Sequence, residues 1–67
     1  MLDLPQLQRD RREVENLLRL ARYRLGHYET LNEQHLAADA RRVVEGHEKL
    51  LTTLSTQIEA FTHVASV

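Results

Sequence analysis

The sequence predicts an all-α protein, an antiparallel hairpin of two helices with unequal arms. Residues that favour helices, chiefly Leu, Arg, Glu, Ala and Gln, dominate the 67-residue chain, which has two Gly and one Pro. Apolar residues recur at spacings of three and four, as on one side of a helix. No run alternates apolar and polar side chains over the length of a strand. We expect residues 1–67 to form a single helical-hairpin domain.

The first helix is expected at about residues 4–25. Asp3 suits the N-cap, and Gln6 follows three residues later as in a capping box. Pro5 lies in the first turn, where its missing N–H does little harm. Once Arg11 is included, the apolar positions alternate spacings of three and four, with Leu17 widening the stripe. These apolar positions are Leu4, Leu7, Val14, Leu18, Ala21, Leu25 and Tyr28.

A turn is expected at about residues 26–30. Gly26 is a suitable residue to end the first helix. Thr30 and Glu33 have the spacing of a second capping box. The seven-residue apolar repeat also shifts by one position between the two halves of the chain, which indicates a break in the helix.

The second helix is expected at about residues 31–62, followed by a frayed C-terminal tail. Gly46 lies inside it, and we expect the helix to tolerate this residue; a three-helix chain broken at Gly46 is the alternative. The apolar side of this helix is broader than a two-stranded contact needs. Its members are Leu36, Ala40, Val43, Val44, His47, Leu50, Leu51, Leu54, Ile58 and Phe61.

The chain is expected to associate. Ordering about 67 residues costs on the order of 100 kcal/mol of conformational entropy, which a core of this size offsets poorly. About ten residues of the second helix are expected to extend beyond the first, and their apolar strip indicates a contact. We expect the hairpin to complete a four-helix bundle, either as a homodimer or on a larger protein partner. The residues expected at this interface are Leu18, Leu25, Val43, His47, Leu50, Leu54, Ile58 and Phe61.

Several classes of chemistry lack support in the sequence. There is no Cys, so disulfides and thiolate metal sites are excluded. No two His have the spacing of three or four that a helical metal site needs, and no catalytic motif is present. We therefore expect no metal, no cofactor and no enzymatic activity. No apolar run is long enough to cross a bilayer and the N-terminus does not resemble a signal peptide, so we expect no membrane contact and a cytoplasmic location.

His47 is the one histidine within the predicted apolar side of the second helix. Its simplest interpretation is a core or interface histidine with a satisfied hydrogen bond. The alternative is a polar residue that fixes the register of the helices or senses pH.

The sequence favours a non-enzymatic protein–protein interaction module, a small adaptor, co-chaperone or inhibitor-type regulator. The alternative is a dimer that binds nucleic acid through Arg19, Arg22 and Arg24, although a net charge of -1 disfavours it. In length and helix arrangement, the predicted hairpin resembles the Rop-like dimeric RNA-binding hairpins and the hairpin co-chaperones of type III secretion needle subunits. A small bacterial or phage regulator that blocks another protein has the same physical features.

Overall fold

The computed structural model describes residues 3–65, with side-chain surroundings through His63, and contains two helices joined by a short turn. Helix α1 spans Leu4–Thr30 and helix α2 spans Gln34–Ala65. They pack along each other as an antiparallel hairpin of 52 × 18 × 14 Å. The predicted all-α hairpin is confirmed.

Helix α1 begins as its sequence predicts. The Asp3 carboxylate accepts a hydrogen bond from the backbone N–H of Gln6 at 2.7 Å, and Asp3 has extended backbone angles suited to an N-cap. The carbonyl oxygen of Asp3 accepts from the N–H of Leu7 at 3.0 Å, which closes the first helical turn. Pro5 lies in that turn.

The end of α1 differs from the prediction. Gly26 does not stop the helix, which continues to Thr30. The Thr30 hydroxyl donates to the carbonyl oxygen of Gly26 at 2.9 Å, so Thr30 closes the last turn of α1 and does not cap α2. The predicted turn at 26–30 is wrong because a glycine ends a helix only where the backbone enters the left-handed region, and Gly26 has no positive φ.

Asn32 supplies the left-handed residue instead, with φ of 62°. The Asn32 N–H donates to the carbonyl oxygen of Glu29 at 3.1 Å, and the Glu33 N–H donates to the carbonyl oxygen of Tyr28 at 2.9 Å. This pair of bonds is the Schellman arrangement, in which Asn is the usual substitute for Gly. The turn is therefore residues 31–33, since the Glu33 carbonyl already accepts from Ala37 at 2.8 Å.

Helix α2 is continuous through Gly46, so the three-helix alternative is wrong. Gly46 is exposed, and a Cβ built there would meet nothing within 4 Å. The helix begins at Gln34 and still includes Ala65, three residues later at each end than predicted. Ser66 and Val67, the end of the predicted frayed tail, lie outside the described residues.

Two apolar clusters hold the helices together. One lies toward the chain termini and consists of Leu7, Val14, Leu54 and Ile58. The other lies nearer the turn and consists of Leu18, Ala21 and Val44. Leu51 packs against both clusters and joins them into one seam.

The arms are less unequal than predicted. Helix α1 has 27 residues and α2 has 32, because α1 continues past Gly26. The predicted overhang of about ten residues is therefore wrong. Ile58, expected to project beyond α1, is 8% exposed and packs with Leu7 and Val14 of α1.

Candidate interaction surface

One long side of the hairpin carries five large apolar residues that the hairpin does not cover. Each is between 46% and 50% exposed. These residues form the apolar side, and they are Leu17 and Leu20 of α1 and Leu36, Val43 and Leu50 of α2.

The spacing of these residues explains their exposure. Each directly precedes a seam residue, as Leu17 precedes Leu18 and Val43 precedes Val44. One residue corresponds to about 100° around a helix. The seam residue faces the other helix, so its predecessor lies on the flank. In an antiparallel pair, these flanks of the two helices fall on the same side of the hairpin.

The opposite side of the hairpin carries ion pairs between the helices. Arg22 of α1 lies 3.5 Å from Glu48 of α2, and Glu29 of α1 lies 3.8 Å from Arg41. Arg22 directly follows Ala21 of the seam and Glu48 lies four residues after Val44, so both occupy the other flank. We name this flank the ion-paired side. Since the four side chains are about half exposed, these pairs set the alignment of the helices more than they stabilise them.

An open groove of about 210 Å³ runs between the helices on the apolar side. Exposed Arg24 and Asp39 contribute charge of opposite sign to its lining. The full lining consists of Ala21, Arg24, Tyr28, Leu36, Asp39, Ala40 and Val43. Apolar contact flanked by charges is typical of a protein-binding surface.

The structure separates the eight predicted interface residues into two groups. Leu18, Leu54 and Ile58 are buried between the two helices of the hairpin, and half-buried Leu25 packs against Leu18 and its neighbours. These four residues hold the hairpin itself together, and His47 is half-buried in α2. The more exposed members of the set are Val43 and Leu50 on the apolar side, together with Phe61, which is 39% exposed.

The prediction of the interface omitted Leu17, Leu20 and Leu36. The sequence contains a signal for them, because each stands immediately before a seam residue, as Val43 and Leu50 do. Recognising this signal requires the seam to be assigned first. A broad apolar stripe alone does not tell which of its edges the partner helix covers.

His47 has a local hydrogen bond. Its Nδ1 lies 2.8 Å from the carbonyl oxygen of Val43, one turn earlier in α2. A carbonyl oxygen only accepts, so Nδ1 carries the hydrogen in this contact. This agrees with the simpler interpretation of His47, a half-buried histidine whose polar atom is satisfied within its own helix.

The three arginines of the nucleic-acid alternative are not gathered on one surface. Arg22 is paired with Glu48 on the ion-paired side. Arg19 lies beside it, lining a shallow groove with Glu15 and Leu51. Arg24 lies on the other side, in the lining of the apolar groove. Within one hairpin, these side chains form no continuous basic patch of the kind that follows a phosphate backbone.

Other kinds of site were also sought in the described part of the chain. Within residues 3–65, no group of three or more His, Asp or Glu residues is placed to hold a metal ion. Neither α1 nor α2, as far as each is described, is apolar enough over a sufficient length to cross a membrane. Comparisons with protein-family models, with curated proteins and with solved structures found no match to this chain.

Proposed function

We propose that this protein is a non-enzymatic protein–protein interaction module that binds through the apolar side of its hairpin. In this role it acts as a small adaptor, co-chaperone or inhibitor-type regulator. The observation that carries the proposal is the alignment of Leu17, Leu20, Leu36, Val43 and Leu50 on one side, while the ion pairs occupy the other. A cytoplasmic location stays a prediction.

The exposed area is large enough to matter for binding. Fully burying a Leu or Val side chain contributes about 1.5–3 kcal/mol. These five side chains are already about half covered. Each therefore contributes roughly 1 kcal/mol when a partner covers the rest. Together they contribute about 5 kcal/mol, which is less than the about 8 kcal/mol of micromolar binding, so a partner must add apolar surface and polar contacts of its own.

The spacing of the α2 residues favours a helical partner. Leu36, Val43 and Leu50 recur every seven residues, which is the repeat of helix packing. One or two helices laid along this side would convert the two-helix seam into the core of a bundle. The nucleic-acid alternative has less support, because Arg22 is paired and Arg24 lies on the opposite side from Arg19.

The proposal is tested by changing one side of the hairpin at a time. Leu50→Glu places a charge on the apolar side, and Thr52→Glu places the same charge at an exposed position of the same helix outside that side. Both chains and the unchanged protein are immobilised and exposed to extract of the source cells. In parallel, the mass of each free chain is measured in solution. Circular dichroism establishes that each variant keeps its helices.

We expect Leu50→Glu to raise the Kd for the partner protein, or for a second copy of the chain, at least tenfold. Thr52→Glu should raise the same Kd less than twofold. If the two variants bind alike, the apolar side is not the binding surface and the proposal is wrong.

A further inference from the structure

Helix α1 presents a charge pattern along the apolar side. Asp10, Leu17 and Arg24 recur every seven residues and each precedes a position of the seam by one. Asp10 and Arg24 therefore lie on the same flank, about 10 Å on either side of Leu17. Among residues 3–63, neither Asp10 nor Arg24 takes part in an ion pair.

Leu17 is the midpoint of α1. Thirteen residues of the helix precede it and thirteen follow it. If a second α1 lies antiparallel to the first over its full length, the two copies of Leu17 meet at a two-fold axis. Asp10 of each copy then faces Arg24 of the other, giving two equivalent pairs of opposite charge.

Helix α2 is suited to the same axis. The turn is centred on Asn32, and Leu7 packs with Ile58 across the seam, so residues about equally far from the turn along the two helices are level with each other. The axis through Leu17 therefore crosses α2 beside Glu48, and exposed Gly46 and Leu50 stand two residues before and after that level. The open space at Gly46 allows the α2 helices of two copies to approach closely, with Leu50 of one facing Gly46 of the other and Val43 facing Thr53.

Covering Thr53 leaves no hydroxyl without a partner. Its Oγ1 donates to the carbonyl oxygen of Lys49 at 3.1 Å within α2. The polar atom keeps this bond when a second chain covers it, so its burial avoids the cost of an unsatisfied donor.

From these observations we propose that the apolar side binds a second copy of this chain, antiparallel to the first, in a four-helix bundle with reciprocal Asp10–Arg24 pairs. This inference rests on the proposed function, because it names the partner of the same surface. The alternative two-fold arrangement puts both turns at the same end and lays α1 over α2 of the other copy. There, Asp10 would be level with Ser55, between Thr53 and Gln57, so neither copy of Asp10 would meet a basic residue.

The first test exchanges the charges. Asp10→Arg and Arg24→Asp each replace the two attractive pairs with two repulsive ones, and we expect each to raise the dimer Kd about tenfold at low salt. An equal mixture of the two variants restores both attractions between unlike chains, so we expect heterodimers with close to the original Kd. Arg19→Asp is the control: it makes the same change in charge outside the apolar side and leaves the dimer Kd within twofold. Sedimentation equilibrium measures all four.

The second test uses the absence of cysteine in the chain. Leu17→Cys places one thiol at the proposed axis, where two copies come within the reach of a disulfide. We expect mild oxidation to link Leu17→Cys into covalent dimers at least tenfold faster than Tyr23→Cys. Tyr23 is 73% exposed and lies on the face of α1 away from the seam and the apolar side.

Four outcomes overturn the inference: a monomer at 100 µM in the unchanged protein, equal Kd values for Asp10→Arg and Arg19→Asp, no heterodimers in the mixture, or equal linking rates for the two cysteine variants. None of them removes the proposed function if Leu50→Glu still abolishes capture of another protein that Thr52→Glu retains. Loss of that distinction overturns the proposed function itself.

Discussion

The two long sides of the hairpin flank the same seam but carry different kinds of residue. On the ion-paired side, Arg22 meets Glu48 and Glu29 meets Arg41 across the seam. On the apolar side, the equivalent flank positions hold Leu17, Leu36, Val43 and Leu50. Charged flanks remain hydrated at little cost, whereas apolar flanks gain from being covered. In this hairpin, ion pairs therefore complete one edge of the seam, whereas the apolar residues at the other edge stay exposed and can bind a further chain.

The largest expected effect comes from Ile58, at the end of the seam near the chain termini, and it tests whether this residue packs within the hairpin. Ile58→Asp places a carboxylate at a position that is 8% exposed and packed against α1. Burying an unpaired charge costs several kcal/mol, so we expect the chain to lose most of its helical signal at 25 °C. Thr56→Asp, at an exposed position nearby, keeps the signal. A folded Ile58→Asp hairpin would show that this residue faces outward, as the predicted overhang requires.

The next prediction compares neighbouring leucines on the seam and on the apolar side. Leu18→Ala removes a residue that is 4% exposed and should lower the free energy of unfolding by about 3 kcal/mol. Leu17→Ala removes a residue that is 50% exposed and should lower it by about 1 kcal/mol or less in dilute solution. Urea unfolding at two protein concentrations measures both. The cost of Leu17→Ala should grow with concentration if a second copy covers it; equal costs for the two variants would contradict the assignment of the seam.

A smaller effect is expected from replacing one glycine on each side of the hairpin. Gly26 lies between Arg22 and Glu29 on the ion-paired side, and Gly46 lies on the apolar side. Both are inside helices, and an added Cβ meets nothing within 4 Å at either. In dilute solution, we expect Gly26→Ala and Gly46→Ala each to stabilise the hairpin by about 0.5–1 kcal/mol, seen as a higher Tm.

Destabilisation by Gly26→Ala would indicate that the first helix does end there. At high concentration, Gly46→Ala should lose its advantage while Gly26→Ala keeps it, because only Gly46 lies where two copies are proposed to approach.

The smallest effect concerns the ion-paired side alone. Arg22→Gln removes a pair whose two side chains are about half exposed, so we expect the free energy of unfolding to fall by no more than about 0.5 kcal/mol. The effect should disappear in 1 M salt, where exposed charges are screened. A loss above 2 kcal/mol, unaffected by salt, would mean that this side contributes to stability as the seam does.

The sequence predicted the elements well because local signals decided them. Asp3 and Gln6 marked the start of α1, and the shifted apolar repeat required a break between the helices. The position of the break was wrong because Gly26 and Asn32 are both acceptable helix stops, and hydrogen bonds formed only in the turn select Asn32. Because α1 ends five residues later than predicted, its first turns lie beside a more C-terminal part of α2. Ile58, predicted to project beyond α1, therefore belongs to the core.

The apolar side could be predicted only in part. Val43 and Leu50 belonged to the predicted interface, and Leu36 to the broad apolar stripe of α2. Which edge of that stripe stays uncovered depends on the crossing of the helices and on the ion pairs at the other edge, and both are properties of the assembled hairpin.

Leu7 has a consequence for how the hairpin opens. It is the most buried of the core residues, at 1% exposure, yet it lies near the end of the molecule farthest from the turn. Contacts there join residues about fifty positions apart, so they form at a higher entropic cost than contacts beside the turn. Their tight packing offsets that cost and opposes progressive separation of the two chain ends. Amide hydrogen exchange should therefore be nearly as slow around Leu7 and Ile58 as around Leu18 and Val44, which is the behaviour of a hairpin that opens as one cooperative unit.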